Sequence, residues 1–295
     1  MTGKALIFGI RGLVGQALAG EARRLGQTVV GTSRCPSEGL WTADFLQPQT
    51  LGVLLRDLRP EAVFLAVNYP GGVNRVEAEA GEARVLHLLA TQAIGAYCAE
   101  REIPLVFYST DYVFDGQNPP YREEDPVHPL NRYGALKREA EVWIQEHCPR
   151  HLILRTTNVF GWDPQSPTPN FLMRLLPRLQ AGTAVGVPSY LKGNPTLAGD
   201  LARGCWELLE QEAWGLYHLV GSGHVDRYTW ARSFARRFGF PEHLIEEQAV
   251  PPSGGVPRPL DSNLSIDRIR PLLSFEPAGV EEGLERLWQA SRQQP

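Results

Sequence analysis

Short apolar runs alternate with longer stretches of helical period through the first half of the chain. Residues 5–8, 28–31, 62–67, 104–108 and 152–154 read as strands. Residues 13–25, 51–58, 75–101 and 133–147 read as helices, the third a single long Ala- and Glu-rich stretch without Pro. Strands separated by helices predict βαβ crossovers and a parallel sheet. The strand runs are apolar throughout, which suits a sheet covered on both faces. After about residue 160 the rhythm changes. Residues 162–169, 182–195 and 251–259 are loop-like, helical patterns resume at 197–209, 228–238 and 280–288, and 215–220 looks like a late strand. The expected organisation is a larger α/β domain over 1–162, joined again by 196–220. A smaller, more irregular domain comprises 163–195 and 221–295.

Composition narrows the function classes. The 295 residues are 43% hydrophobic and 21% charged, ordinary for a chain that buries a sizeable core. Acidic residues outnumber basic ones, 33 to 29, for a net charge of −4. No basic excess exists to neutralise phosphates, so nucleic acid and anionic membrane surfaces are not expected partners. No apolar run approaches the ~18–20 residues needed to span a bilayer, and the start through Gly9 is too short and Gly-rich for a signal peptide. Cys35, Cys98, Cys148 and Cys205 form no C-x-x-C pair, which predicts free thiols in a reducing, cytoplasmic setting. Only three of the basic residues are Lys, at 4, 137 and 192.

Gly9-Ile10-Arg11-Gly12-Leu13-Val14-Gly15 lies where the first strand gives way to the first helix. Glycines there permit a tight turn and close backbone approach, so that a helix amino terminus faces a pyrophosphate. The glycines by themselves also fit an ordinary turn. A carboxylate that holds a ribose 2′-hydroxyl usually ends the second strand, but here the sequence runs Gly31-Thr32-Ser33-Arg34. Arg34 and Arg11 suit a 2′-phosphate instead. NADPH is therefore the expected cofactor, with NADH the lesser option. Two solvated surface arginines are the alternative reading.

Ser109-Thr110-Asp111-Tyr112-Val113-Phe114-Asp115-Gly116 follows an apolar strand, and polar residues at the carboxyl end of a parallel strand occupy the ligand edge of such sheets. Tyr133 and Lys137 are spaced i, i+4 and share one helix face. A phenol ordinarily titrates near pH 10, and a neighbouring ammonium is expected to lower that value and suit it to proton transfer. Taken alone, such a pair is more often an exposed helix pair. His147 and His151 flank Pro149, which ends the helix, so no metal is expected.

Together, the glycine turn, the Ser109–Thr110 strand end and Tyr133-x-x-x-Lys137 resemble extended short-chain dehydrogenases/reductases. The octapeptide from Ser109, Asn131-Arg132-Tyr133-Gly134, Asn170-Phe171, Gly193-Asn194-Pro195-Thr196 and Arg258-Pro259 are similar to the dTDP-4-dehydrorhamnose reductase family over nearly the whole chain. The resemblance implies a Rossmann-type doubly wound sheet with a smaller carboxy-terminal substrate-binding domain. It implies hydride transfer from NADPH to the C4 ketone of a nucleotide-linked 4-keto-6-deoxy sugar. Thr110, Tyr133 and Lys137 are its catalytic set. Gly9, Arg11, Gly12, Leu13, Val14, Gly15, Ser33, Arg34, Asp44, Phe45 and Ala66, with Tyr133 and Lys137, are its cofactor residues. Asp111, Phe114, Asn158, Asn170 and Arg258 fall to the substrate, and a homodimer through the 75–101 helix is a candidate assembly. The chain departs from that family at Asn68-Tyr69-Pro70-Gly71-Gly72, at Tyr190-Leu191-Lys192, and at Asn158, where the reductases carry Trp. Asn158 looks more like nucleotide-sugar epimerases and dehydratases, which hold NAD. A further alternative is a non-catalytic NADP-binding regulatory subunit.

Overall fold

Seven parallel strands form the central sheet of the computed structural model, which describes residues 4–293. In chain order they are β1 (Lys4–Phe8), β2 (Thr28–Ser33), β3 (Trp41–Thr42), β4 (Ala62–Leu65), β5 (Leu105–Thr110), β6 (His151–Thr156) and a last strand, Gly215–His218. In space the order is Gly215–His218, β6, β5, β4, β1, β2, β3. β1 pairs with both β2 and β4, Leu6 lying opposite Val30 on one side and Val63 on the other. The strand order reverses at β1, and open α/β sheets bind ligands beyond the carboxyl ends at such a reversal.

The apolar strands are buried on both faces because side chains alternate along them. Ala5 and Ile7 pack with Leu18 and Ala22 of α1 (Leu13–Arg24) and with Leu201 and Cys205 of α8 (Ala198–Glu210). Leu6 and Phe8 face Leu51 and Leu55 of α2 (Pro48–Leu58), Ile94 of α5 (Ala90–Glu100) and Ile144 of α6 (Arg132–His147). A third cluster joins Leu176 of α7 (Phe171–Gln180), Trp230 of α9 (Arg227–Arg237) and Leu284 of α10 (Val280–Gln293).

The pattern misreads two regions. The helix expected over 75–101 is broken into α3 (Gly72–Ala78), α4 (Ala80–Arg84), a π-helical turn (Val85–Leu89) and α5. Glu79 leaves helical geometry at φ −113°, ψ 45°. Its carboxylate accepts from the hydroxyl of Tyr69 and, at 2.9 Å, from Arg75. α7 was hidden by Pro177, which sits inside it. Its buried leucines 172, 175, 176 and 179 hold the helix despite the missing N–H. Strands β2, β5 and β6 also run further than their apolar stretches, because Thr32, Ser109, Thr110 and Thr156 are buried although polar.

Candidate active site

The glycine turn is shaped by close approach. Gly9 adopts φ +80°, and a Cβ there would lie 2.5 Å from the Ala66 carbonyl oxygen. A Cβ on Gly15 would lie 2.2 Å from the Gly9 carbonyl oxygen. Gly12 caps α1 without a side chain, so the N–H groups of Leu13, Val14 and Gly15 have no acceptor within the helix. Gly9, Gly12, Leu13, Val14 and Ala66 line one groove of about 690 Å³. Arg11, Ser33 and Arg34 line an adjoining hollow of about 590 Å³. Neither guanidinium makes an ion pair among the described residues. Asp44 and Phe45 share a pocket of about 270 Å³ with Ser33 and Arg34. The Asp44 carboxylate accepts from the Leu46 N–H at 3.0 Å, and Phe45 packs edge-on to Phe8.

Thr110, Asp111, Tyr133, Lys137 and Asn158 line a single pocket of about 280 Å³ with Val14, Ala66 and Asn68. Thr110 closes β5; its hydroxyl donates to Asp111 Oδ1 at 3.0 Å and accepts from the Tyr112 N–H at 3.2 Å. Asn131 caps α6, accepting from the Gly134 N–H at 3.0 Å. A Cβ on Gly134 would lie 2.0 Å from the Tyr112 carbonyl oxygen. Only glycine lets α6 start this near the end of β5, and that contact brings Tyr133 into the pocket that Thr110 lines. One turn on, the Lys137 ammonium donates to the Tyr108 carbonyl at 2.8 Å and lies 4.6 Å from the Phe107 ring centre.

The electrostatics correct one expectation. Lys137 does not bring the phenol down. Burial, with the Asp111 carboxylate adding to it, pushes Tyr133 well above the ordinary phenol range, against smaller opposing effects of the Thr110 and Asn68 side chains. Lys137 is itself lowered to about 8 by burial, partly offset by Glu141. Its ammonium is directed at a backbone carbonyl. Burial also raises Asp111, against hydrogen bonds from Ser262, Thr157 and Thr110.

The expected substrate residues divide. Asn158 takes φ +46°, and its Oδ1 accepts from Arg227 Nη2 at 3.1 Å. Arg258 donates to Asn74 at 2.8 Å, while its Nε is buried without a partner. Asn170 caps α7 through the Met173 N–H and donates to the Gly161 carbonyl at 2.8 Å, so its amide is engaged by the fold. Phe114 is a correction: it is fully buried, stacked on Tyr121 at 4.1 Å and edge-on to His218, and offers no ligand surface. Val113 and Phe114, the apolar pair that ends and follows the 3-10 turn Asp111–Val113, are both core, packed in one cluster with Tyr121 and Leu264.

The sequence reading missed four residues. Asn68 follows β4 and approaches the Tyr133 hydroxyl at 3.5 Å; its place just past a parallel strand's carboxyl end was the signal that could have found it. Arg174 and Arg227 come from distant helices, and no local pattern marks them. Arg174 feels both Arg227 and Arg258, whose charges add to burial in lowering its pKa. His87 packs edge-on to Tyr133. Among the described residues no group of three or more His, Cys, Asp or Glu is placed to hold a metal, and no helix is long and apolar enough to cross a membrane.

A parallel sheet with a glycine turn at its reversal point, and a Thr–Tyr–Lys pocket beside it, defines a Rossmann-type protein of the extended short-chain dehydrogenase/reductase class. The profile of the RmlD substrate binding domain matches residues 3–293, and the chain belongs to that family. The dTDP-4-dehydrorhamnose reductase of Salmonella typhimurium is 31% identical over 278 residues, 90% of each chain. Methionine adenosyltransferase 2 subunit beta of Danio rerio is 28% identical over 300 residues, 97% of this chain and 90% of that one. The dTDP-4-dehydrorhamnose reductase of Bacillus anthracis, solved in complex with NADP, superposes with a TM-score of 0.89 at 22% identity, covering 98% of this chain and 100% of that one.

Proposed function

We propose that the protein is an NADPH-dependent reductase of a nucleotide-linked 4-keto-6-deoxy sugar. The observation that carries this reading is the convergence of Thr110, Tyr133 and Lys137 in the pocket that also holds Val14 and Ala66 of the phosphate groove. The chain fits a dinucleotide on its own geometry: a Cβ would fill the cradle at Gly9 and Gly15, and Arg11 and Arg34 await an anion. Bound NADPH supplies a hydride to the substrate's C4. Tyr133, held protonated by burial, gives its proton to the C4 oxygen, and the Thr110 hydroxyl donates a hydrogen bond to that oxygen as negative charge builds there. Lys137, one helical turn from the phenol, binds the nicotinamide ribose. Arg174, Arg227 and Arg258 have no carboxylate partner among the described residues, which suits the diphosphate of the nucleotide.

In this reading residues 1–162 and 196–220 hold the cofactor, and 163–195 and 221–295 hold the sugar. The enzyme works in the cytoplasm, in line with four free cysteines, and as a homodimer. NADPH oxidation against a panel of nucleotide-linked 4-keto sugars tests it. Turnover is expected with at least one sugar, and Tyr133→Phe is expected to abolish turnover while keeping fold and NADPH binding. A fully active Tyr133→Phe variant rules out the proton donor. A chain that binds NADPH but reduces no sugar is a regulatory binder, the reading favoured by the methionine adenosyltransferase relative. Stoichiometric NAD in the purified protein indicates an epimerase or dehydratase.

A further inference from the structure

Asn68 stands three residues past β4, in the segment Asn68-Tyr69-Pro70-Gly71-Gly72 where the chain departs from its family's sequence. It lines the catalytic pocket of about 280 Å³, the phosphate groove of about 690 Å³ and the Asp44–Phe45 pocket of about 270 Å³. Its side-chain Oδ1 accepts from the Tyr69 N–H at 3.0 Å. That bond settles which end of the amide is which, because only the oxygen accepts from a backbone N–H. The Nδ2 end is then turned to the Tyr133 hydroxyl oxygen, 3.5 Å away.

The support behind this amide is anchored in turn. Tyr69 is buried, and its hydroxyl bridges the carboxylates of Glu79 and Glu82, 2.9 Å from the latter. Arg75 lies over the Tyr69 ring at 5.7 Å and pairs with Glu79 at 2.9 Å. Helices α3 and α4 therefore hold Tyr69, and the Tyr69 N–H holds Asn68.

Other donors of the pocket are directed elsewhere. The Lys137 ammonium donates to the Tyr108 carbonyl at 2.8 Å, and the Thr110 hydroxyl donates to Asp111 Oδ1 at 3.0 Å. Burial and the Asp111 carboxylate both oppose a charge on the phenol, and the Asn68 side chain acts in the opposite sense. A hydrogen bond to the charged form of a group favours that form. Catalytic hydrogen bonds are often long in the free protein and tighten as the reaction proceeds, and N–H bonds to an oxyanion are the shorter and stronger kind.

We propose that Asn68 is a further catalytic residue, whose amide N–H donates to the Tyr133 oxygen and stabilises the phenolate that proton transfer leaves. The ketone gains the NADPH hydride at C4 and the Tyr133 proton at its oxygen. The electron pair of the broken O–H bond stays on Tyr133, and water returns the proton afterwards. Before transfer the same donor occupies a lone pair of the phenol, which leaves the phenolic proton free for the substrate. The catalytic consequence rests on the reductase reading; the hydrogen bond itself does not.

Two substitutions separate a donor from a spacer. Asn68 is exposed to the pockets, so neither is expected to lower the melting temperature. Asn68→Leu keeps the bulk and removes the N–H. Its kcat is expected to fall about tenfold to a hundredfold, the worth of a hydrogen bond to a charged group, with KM for the sugar unchanged. Asn68→Asp keeps the shape and the contact with the Tyr69 N–H but sets an acceptor and a negative charge against the phenolate. Its kcat is expected to fall further, whereas simple packing gives the reverse order because Asp is the closer match in shape. Independently of turnover, the Cζ resonance of Tyr133 in ¹³C-tyrosine-labelled, cofactor-free protein, identified by its loss in Tyr133→Phe, is expected to move in Asn68→Leu. Wild-type kcat in Asn68→Leu, a milder loss in Asn68→Asp than in Asn68→Leu, or an unmoved Cζ signal overturns the proposal. A wild-type chain that reduces no sugar overturns the reductase reading instead, and the Cζ signal then decides the hydrogen bond alone.

Discussion

Lys137 and Tyr133 sit one helical turn apart, and burial moves them in opposite directions. Burial disfavours the charged form of each, so the base loses affinity for its proton while the phenol tightens its hold. Lys137 falls to about 8 and Tyr133 rises. Across neutral pH the phenol remains a loaded donor, and the ammonium is the group that titrates. The ammonium is charged below about pH 8 and neutral above it. The expected kcat/KM for sugar reduction is therefore level below that point and declines with rising pH through about 8, with a slope of one proton. That alkaline limb belongs to Lys137, not to the phenol. A profile that stays level to pH 10 contradicts the assignment. The same shift acts on stability with the opposite sense. Between about 8 and the ordinary 10.5 the unfolded chain binds the proton that the folded one has lost, so this group makes folding more favourable as pH rises through that window. A decline in activity there is then not a decline in fold.

The joint between β5, β6 and α6 holds the strand end that carries Thr110. Glu141 of α6 accepts from Arg155 of β6 at 2.9 and 2.8 Å and from the Ser109 hydroxyl at 2.5 Å. Both charged partners are essentially unexposed. Removing one member leaves the other charge buried without compensation, so Glu141→Gln is expected to cost about 3–5 kcal/mol, read as a lower urea midpoint with an unchanged slope. Because Glu141 also supports the charge on Lys137, the alkaline limb of the variant is expected at lower pH. A midpoint within error of wild type refutes the role of the pair. Elements of this kind were largely legible in the sequence. Ala5–Phe8 and Ala62–Leu65 are apolar without interruption because both faces of the sheet are covered, and α1 and α6 begin at glycine and asparagine signals that local chemistry explains. What escaped the pattern were features decided by distant contacts. Tyr69 reaches across to Glu79 where the long helix breaks, and the π turn Val85–Leu89 sets His87 edge-on to Tyr133. α7 tolerates Pro177 because its leucines fill the third core. Within the site, residues fixed by strand ends and helix spacing were visible. Arg174 and Arg227 were not, since their relation to Arg258 exists only once three separate segments have packed.

At the scale of the molecule, one edge of the sheet gathers the residues expected to hold the cofactor. The turn after β1, the Ser33–Arg34 end of β2, Ala66 and Asn68 after β4, and Thr110 at the end of β5 follow from parallel strands that all point the same way. A dinucleotide laid along this edge touches segments far apart in sequence, so its binding stabilises the whole fold rather than one loop. Ligand at about 100 times its Kd adds about 2.7 kcal/mol to the folded state. NADPH at that excess is therefore expected to raise the melting temperature of the wild-type chain. Arg34 is the residue expected to carry the discrimination, because no carboxylate stands at the end of β2 and the guanidinium has no anionic partner among the described residues. A charge-assisted hydrogen bond to phosphate contributes about 1.5–3 kcal/mol, so Arg34→Ala is expected to need roughly tenfold to a hundredfold more NADPH for the same shift. NADH lacks the 2′-phosphate, and its weaker binding should be the same in both proteins. If Arg34→Ala weakens NADH as much as NADPH, the arginine supports the loop in general and the preference for the phosphorylated cofactor must come from elsewhere on the edge, with Arg11 the next residue to replace.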